Sequence, residues 1–419
     1  MKIYYWSPFI SYVATTSSVV NSLISIKKFS QKKINCKIID VFHEWNNYHD
    51  ILKKNDIDIL DLNKFLNIKY LPTKGFIQSR FTYLITYLFS FLKLHFLIKK
   101  DKPDYLVMHL ITSIPLSLLI FFSYDTKFIL RISGLPKMNF LRRFLWKSLN
   151  SKLFKVICPT KMTKEFLLNE KIFSADKLIV AQDPIINHSL INNLKSIKKN
   201  ELNIKEEYVI SIGRLTYQKN FDFLIKNFVK ISKIYPKLKL IILGDGEEKI
   251  ALKKLIKYHE LDNNVILKGN VKNIYPYLSK AKFFVLTSRW EDPGFVIIES
   301  MFMKKIVLSS DCKNGPMEII NDGINGFLFK NLNNEDFLNK FKHTYEIINN
   351  NDKIIRQMKL DALKTTKTYT LFNHYKNIIK IFPVAGYTPA LRSNQVNQTN
   401  LIQIFHQRSF LLPPPGEKR

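Results

Sequence analysis

The stretch Arg289-Trp-Glu-Asp-Pro-Gly-Phe-Val-Ile-Ile-Glu299 sets two glutamates, Glu291 and Glu299, eight positions apart around a Gly-Phe turn. The apolar run Lys282-Phe-Phe-Val-Leu-Thr-Ser288 ahead of it reads as a buried strand, and residues 296–303 read as the helix leaving it. Glu291 is then expected at a strand's carboxyl end and Glu299 further into the helix. In doubly wound α/β sheets ligands collect at that edge, where amides at a helix start can face phosphate or hydroxyl oxygens. This turn is a candidate ligand site, and it predicts an α/β fold with parallel sheets.

Working outward, the second half supplies further apolar runs at 208–212, 239–243, 264–267 and 305–309. The first half alternates strands at 3–6, 36–42, 104–109, 127–132 and 155–159 with helical patterns, one opening near Thr16. Such alternation predicts parallel sheets in two doubly wound domains whose strand ends surround one ligand space. The expected boundaries are a first domain over 1–185, a polar linker over 186–204, a second domain over 205–365, a returning helix over 366–382 and a tail over 383–419. The tail changes composition abruptly: its single lysine is Lys418, and it carries Pro-Pro-Pro among Gln, Asn and Ser, so it is expected to lack fixed structure.

The net charge of +31 raises the question of anionic partners. Lysine accounts for 55 of the 65 cationic residues, whereas base readout favours arginine, and no nucleic-acid motif is present. No nucleic-acid partner is expected; an anionic membrane surface stays open. Cys36, Cys158 and Cys312 follow no metal-ligand spacing and cannot form an even disulfide set, which suits a reducing compartment. The opening Met-Lys-Ile-Tyr-Tyr-Trp reads as a first strand rather than a secretory leader, so a cytoplasmic protein is expected.

Two apolar stretches approach membrane-spanning length, 81–98 and 105–124. The first contains Lys93 and His95, and the second contains Pro115 and divides into strand, turn and helix. Both are expected to be buried core. Residues 140–154 read as one helix with aromatics on one side and cations on the other, equally suited to a membrane surface or to packing on a sheet.

A second strand-to-helix turn, Gly213-Arg214-Leu-Thr-Tyr-Gln-Lys219-Asn220, carries a guanidinium and an ammonium that could neutralise a diphosphate, although exposed Arg and Lys are common in loops. Together the two turns resemble the retaining glycosyltransferases of family 4, which have the two-Rossmann-domain GT-B fold. The likeness covers roughly 205–330 and adds Leu-Gly-Asp-Gly246, Asn314-Gly-Pro-Met-Glu318 and Asp322-Gly-Ile-Asn-Gly326-Phe. The phrases around Trp290 and Cys312 resemble the capsule, exopolysaccharide and lipopolysaccharide branch in particular.

The resemblance implies donor binding by Gly213, Arg214, Lys219, Gly294, Phe295, Val296 and Glu299, with Arg214 and Lys219 on the diphosphate and Glu299 accepting from the two ribose hydroxyls. Glu291 would hold the transferred sugar with the Gly294 and Phe295 amides. Read singly, Glu299 could be a solvated helix residue and Glu291 a carboxylate favoured by a helix dipole. Gly244, Gly246 and Gly326 read as turn glycines.

In the first domain the resemblance places a histidine near the sugar, and His109 stands at a suitable strand end, where a lone histidine is as often structural. The family's glycine-bearing loop after the first strand is replaced by residues 7–17, which lack glycine. Arg131 to Gly134 either border the acceptor or form a turn. Catalytic roles accordingly fall to Arg214, Lys219, Glu291 and His109.

The reaction implied is transfer of a hexose or N-acetylhexosamine from a nucleotide diphosphate sugar, UDP favoured, to a lipid-linked saccharide at the inner membrane face. No cofactor and no metal are expected, the nucleotide sugar being a substrate; the Asp56-Ile-Asp58 pair is the kind that arises by chance. The acceptor residues are not legible. A nucleotide-sugar epimerase of the same fold and a silent membrane-bound scaffold are the alternatives.

Overall fold

A computed structural model describes residues 1–10, 14–30, 34–64, 67, 70–72, 75–189, 191 and 204–382. Most of the expected linker over 186–204 and the whole tail over 383–419 lie outside the described residues. The chain divides into two units, Met1–Ile381 and Phe382–Arg419, and both parallel sheets belong to the first.

The first lobe runs β1 (Lys2–Trp6), α1 (Ala14–Phe29), β2 (Asn35–Asp40), α2 (His49–Lys54), β3 (Asp58–Asp61), α3 (Gly75–Asp101) and β4 (Tyr105–Met108). It continues with α4 (Ser113–Phe121), β5 (Lys127–Arg131), α5 (Phe140–Ser148), β6 (Leu153–Cys158), α6 (Lys161–Asn169) and β7 (Leu178–Val180). The strands form one parallel sheet ordered β3-β2-β1-β4-β5-β6-β7. Near-continuous apolar runs such as Tyr105-Leu-Val-Met108 suit strands covered on both faces, and all four of these residues are buried.

The second lobe repeats the plan with β8 (Tyr208–Ile212), α7 (Phe221–Ile234), β9 (Lys239–Leu243), α8 (Lys249–Tyr258), β10 (Val265–Gly269) and α9 (Tyr275–Lys280). After these come β11 (Phe284–Leu286), α10 (Phe295–Phe302), β12 (Val307–Ser310), α11 (Pro316–Ile319) and β13 (Phe327–Phe329). Three helices close the unit: α12 (Asn334–Asn350), α13 (Asp352–Thr366) and α14 (Leu371–Ile378). This sheet is ordered β10-β9-β8-β11-β12-β13, also parallel. In each sheet the order reverses beside the first strand, between β1 and β4 and between β8 and β11. Those two switch points are where doubly wound sheets open a crevice for ligands.

The chain passes between lobes twice, and one buried network ties both passages together. Arg131, at the end of β5, pairs with Asp183 on the outgoing passage; both are almost wholly buried. Ser18 of α1 donates to the same carboxylate at 2.7 Å, and Arg131 also reaches Ser22 at 3.4 Å. On the return, Ile185 and Ile186 donate to the Tyr369 carbonyl at 2.9 Å, and α14 lies against α1. His374 closes the network, 2.8 Å from Ser22 and 2.8 Å from the Gln182 carbonyl. Burial and the Arg131 charge lower the His374 pKa to about 3, so the ring is neutral, with Nδ1 donating to that carbonyl and Nε2 accepting from Ser22.

Three expectations are corrected. The stretch 81–98 is not buried core: it belongs to α3, a helix with a long exposed apolar face, and only 28% of its most apolar window is buried. The helix expected over 140–154 stops at Ser148, because Leu149 and Leu153 turn into the core and 153–158 continue as β6. Phe140, Leu141 and Phe144 stay exposed on α5. Arg131, read as bordering an acceptor or a turn, instead faces inward.

Removing one partner of a buried ion pair leaves the other charge uncompensated, at a cost of about 3–5 kcal/mol. Asp183→Asn should lower the unfolding free energy by that amount in urea titration. A loss below about 1 kcal/mol would mean that the passages are held by packing alone.

Candidate active site

The turn after β8 and the turn after β11 lie side by side at the second lobe's switch point, and backbone contacts join them. Arg289 N donates to the Gln218 carbonyl at 2.8 Å, Gln218 Nε2 to the Trp290 carbonyl at 3.0 Å, and Thr287 Oγ1 to the Asn220 carbonyl at 3.2 Å. Beneath them, Gly244 places its α-carbon against the Gly213 carbonyl. A Cβ on Gly244 would come within 1.9 Å of that oxygen, and its φ of 140° also disfavours any side chain. The Leu-Gly-Asp-Gly246 segment is therefore the floor on which the 213–220 turn rests.

This arrangement brings Lys219 and Glu291 together. Lys219 Nζ is 2.5 Å from Glu291 Oε1, and Ser288 Oγ donates to the same oxygen. Glu291 is only 3% exposed, so its charge is offset by these donors rather than by bulk water. Gly213 lies beside the Lys219 stem: a Cβ there would stand 3.1 Å from the Lys219 side chain. Arg214 is exposed and forms no ion pair among the described residues. Gly294, with φ 90°, starts α10 next to Glu291, and the first amides of that helix, at Phe295 and Val296, have no intrahelical acceptor.

Glu299 sits one turn into α10, largely buried, with Tyr275 Oη donating to its Oε1 at 3.3 Å. Burial raises its pKa to about 7, an effect the Tyr275 hydrogen bond only partly opposes. No hydrogen bond or ion pair among the described residues links Glu299 to the Lys219–Glu291 pair.

His109 stands at the other lobe's switch point, just past β4, its amide bonded to the Trp6 carbonyl at 2.9 Å. Burial, then the nearby Arg131 charge, hold its pKa well below the usual value, so the ring is neutral. Both ring nitrogens are buried without a partner among the described residues, as is Ser7 Oγ just past β1. Buried polar atoms left unpaired are uncommon in folded chains. Three of them at the ends of adjacent central strands mark a place built to receive hydrogen-bonding groups. His109 was legible as a strand-end histidine, whereas Ser7, in a loop without glycine, had no signal.

The carboxyl-end loops of the two sheets touch directly. Asp292 Oδ1 accepts from Leu135 N of the first lobe at 2.9 Å and from Asn314 Nδ2 at 2.6 Å. Asn314 Oδ1 in turn accepts from Thr163 Oγ1 at 3.0 Å, and Glu318 accepts the Met162 amide at 2.6 Å and the Lys161 amide at 3.0 Å. Glu318 thus satisfies the start of α6 from across the interface, where the helix dipole favours a carboxylate. The Asn314-to-Glu318 motif was visible in the sequence, but its clasping role depends on a partner 156 positions away.

Away from these loops, Asp56 and Asp58 are engaged by Lys27 at 3.1 Å and Lys37 at 3.5 Å. Asp40, His43 and Asp61 bring ligand-type atoms within 4.8 Å of one another along a cavity of about 360 Å³ beside β2 and β3.

The chain resembles known proteins in both sequence and fold. Residues 192–360 match the family model described as glycosyl transferases group 1. The structure of Staphylococcus aureus TarM in complex with fondaparinux, alpha-GlcNAc-glycerol and UDP superposes with a TM-score of 0.68, covering 91% of this chain and 100% of that one at 15% identity. The fold is GT-B. Among curated relatives, an uncharacterized glycosyltransferase of Methanocaldococcus jannaschii is 33% identical over 54% of this chain and 59% of its own length. A Campylobacter jejuni N-acetylgalactosamine-N,N'-diacetylbacillosaminyl-diphospho-undecaprenol 4-alpha-N-acetylgalactosaminyltransferase is 28% identical over 56% of this chain and 62% of its own length. The matches therefore span about three-fifths of these relatives.

The Glu299 carboxyl binds its proton more tightly in the folded state than in the unfolded one. Its stabilising contribution is complete below the unfolded pKa near 4.5 and is lost as pH rises through about 7. The melting temperature of Glu299→Gln should therefore gain on the wild type as pH rises from about 5 to about 8. A difference that stays constant over this range would mean the carboxyl is not buried in the native state.

Proposed function

We propose that this GT-B protein transfers a hexose or N-acetylhexosamine, with retention and without metal, from a UDP-sugar to a lipid-linked saccharide in bacterial surface-polysaccharide synthesis, on the inner face of the cytoplasmic membrane. The observation that carries it is the clustering of Lys219, Glu291 and the first amides of α10 at the second lobe's switch point. Across the contacting loops, the first lobe contributes the unpaired His109 and Ser7 atoms at its own switch point. UDP is supported by the complex of TarM, a relative in fold, and a lipid-linked acceptor by the activity for which the Campylobacter relative is named.

In this reading the diphosphate meets Lys219 and the exposed Arg214, which neutralise charge as the anomeric carbon–oxygen bond breaks. The acceptor hydroxyl attacks from the same face and gives its proton to the departing phosphate. Glu291, held by Lys219 and Ser288, presents a fixed carboxylate to the sugar hydroxyls alongside the Phe295 and Val296 amides. Neutral His109 can donate to or accept from a sugar hydroxyl without introducing charge. Glu299 accepts from the ribose hydroxyls.

Lys219→Ala should lose about 10² to 10³ in turnover, as when one donor is removed from an oxyanion site, and should also melt lower, because it leaves the buried Glu291 without its cation. Wild-type turnover in that variant would take Lys219 out of the mechanism. Product analysis with donor alone separates transfer from the epimerase alternative, which would release an altered sugar nucleotide without any acceptor.

Two ribose hydroxyls donating to Glu299 favour its ionised form, so UDP binding should release a proton and tighten as pH rises from about 6 to about 8. Titration calorimetry in buffers of different ionisation enthalpy reads that proton directly. Affinity independent of pH, with no proton released, would remove Glu299 from ribose recognition.

A further inference from the structure

Helix α3 carries a long apolar stripe on its outer side. The residues it buries fully are Thr82, Thr86, Ser90, Leu94 and Ile98, with Tyr87, Phe91 and Leu97 half-buried against the core. The inward hydroxyls are satisfied within the fold: Thr86 Oγ1 donates to the Thr82 carbonyl at 2.7 Å, and Ser90 lies 3.5 Å from Asn63 Nδ2. Phe81, Leu84, Leu88, Leu92 and Phe96 recur every three or four residues, so they form one stripe along the helix. Each is more than half exposed, from 52% at Leu84 to 66% at Leu88. A helix packed on a sheet in water ordinarily confines its apolar stripe to the core side. The end of α4 extends the surface through exposed Ile120 and Phe121, the latter ring 6.2 Å from Phe91 of α3.

Charge and topology select what covers this stripe. No aspartate or glutamate occurs between Gly75 and Lys100, while Lys93, Lys99, Lys100 and Lys102 are exposed at its carboxyl-terminal end. The helix's one acid, Asp101, accepts from Tyr4 Oη at 2.7 Å on the sheet side. A two-fold interface pairs a patch with its own copy, which would bring no acid along the stripe to offset these lysines. An anionic lipid surface offers the complementary sign. The helix is long and apolar enough to cross a bilayer. Yet it leaves β3 and returns to β4 in one parallel sheet, so both ends are anchored to the same lobe. Lying flat, the stripe from Phe81 to Phe96 presents about 23 Å of apolar surface to the headgroup region.

We propose that the outer face of α3, with the end of α4, docks this protein on an anionic membrane by lying in the plane of the headgroups. The surface is distinct from α5, where the sequence pattern had suggested membrane contact. The inference rests on the transfer reading for its purpose, which is to hold the site beside a lipid-linked acceptor; the polarity of α3 is independent of it.

The test is flotation of the full chain with vesicles of equal parts phosphatidylglycerol and phosphatidylethanolamine, against vesicles of phosphatidylcholine. Binding to the anionic vesicles is expected, reduced about tenfold or more in Leu88→Gln/Leu92→Gln and little changed in Phe140→Gln/Phe144→Gln on α5. The three native cysteines are buried, so Leu88→Cys can carry a polarity-sensitive fluorophore whose emission should shift to the blue on the same vesicles. Absence of flotation, loss through the α5 variant alone, or a label that stays in water would overturn the proposal. So would a wild-type dimer in sedimentation that the α3 variant dissociates. Melting with and without UDP accompanies each sample: a UDP shift without vesicle binding refutes the docking face and leaves the transfer reading standing, and vesicle binding without a UDP shift does the reverse.

Discussion

The two lobes are held in one unit by the buried contact between Arg131 and Asp183. Each ion would be costly to bury alone, and together they are stable only because Ser18, Ser22 and the neutral His374 complete the hydrogen bonding. The network reaches β5, α1, the outgoing passage and α14, so the first sheet and both connections to the second are fixed through one pair of charges. Everything that happens between the carboxyl edges of the two sheets depends on this remote fastening.

Those edges meet through a second, more solvated set of polar contacts. Asp292 and Asn314 reach the Leu135 amide and the Thr163 hydroxyl, and Glu318 takes the first amides of α6. Asp292 directly follows Glu291, so the residue that touches the first lobe is covalently next to the one paired with Lys219. The site's own electrostatics are graded: Lys219 and Glu291 form a close ion pair, His109 is kept neutral by burial and Arg131, and Glu299 is poised near pH 7. In the proposed transfer reading, sugar, ribose and diphosphate would each meet a different group within one pair of loops and one facing strand end.

The outward apolar stripe of α3 accounts for part of a composition that is otherwise uninformative. A charge of +31 distributed through lysine says little by itself. Where lysines gather at the end of an acid-free apolar stripe they acquire a specific complement. Hydropathy measured the amount of apolar surface in 81–98 but not its direction, which is why the stretch read as core.

By itself, the sequence determined the alternation of strands and helices, the two strand-to-helix turns at 213–220 and 289–299, and the strand-end position of His109. These are local features: period, glycine placement and charge at a turn are set by neighbours along the chain. The sequence could not show that Lys219 and Glu291 pair, that Arg131 turns inward to Asp183, that Asn314 and Glu318 clasp the other lobe, that Ser7 lies unpaired beside His109, or which side of α3 faces water. Only the tertiary structure decided those, because each depends on groups that come together when separate segments pack, and the free energy of burial is assigned by that packing rather than by residue type.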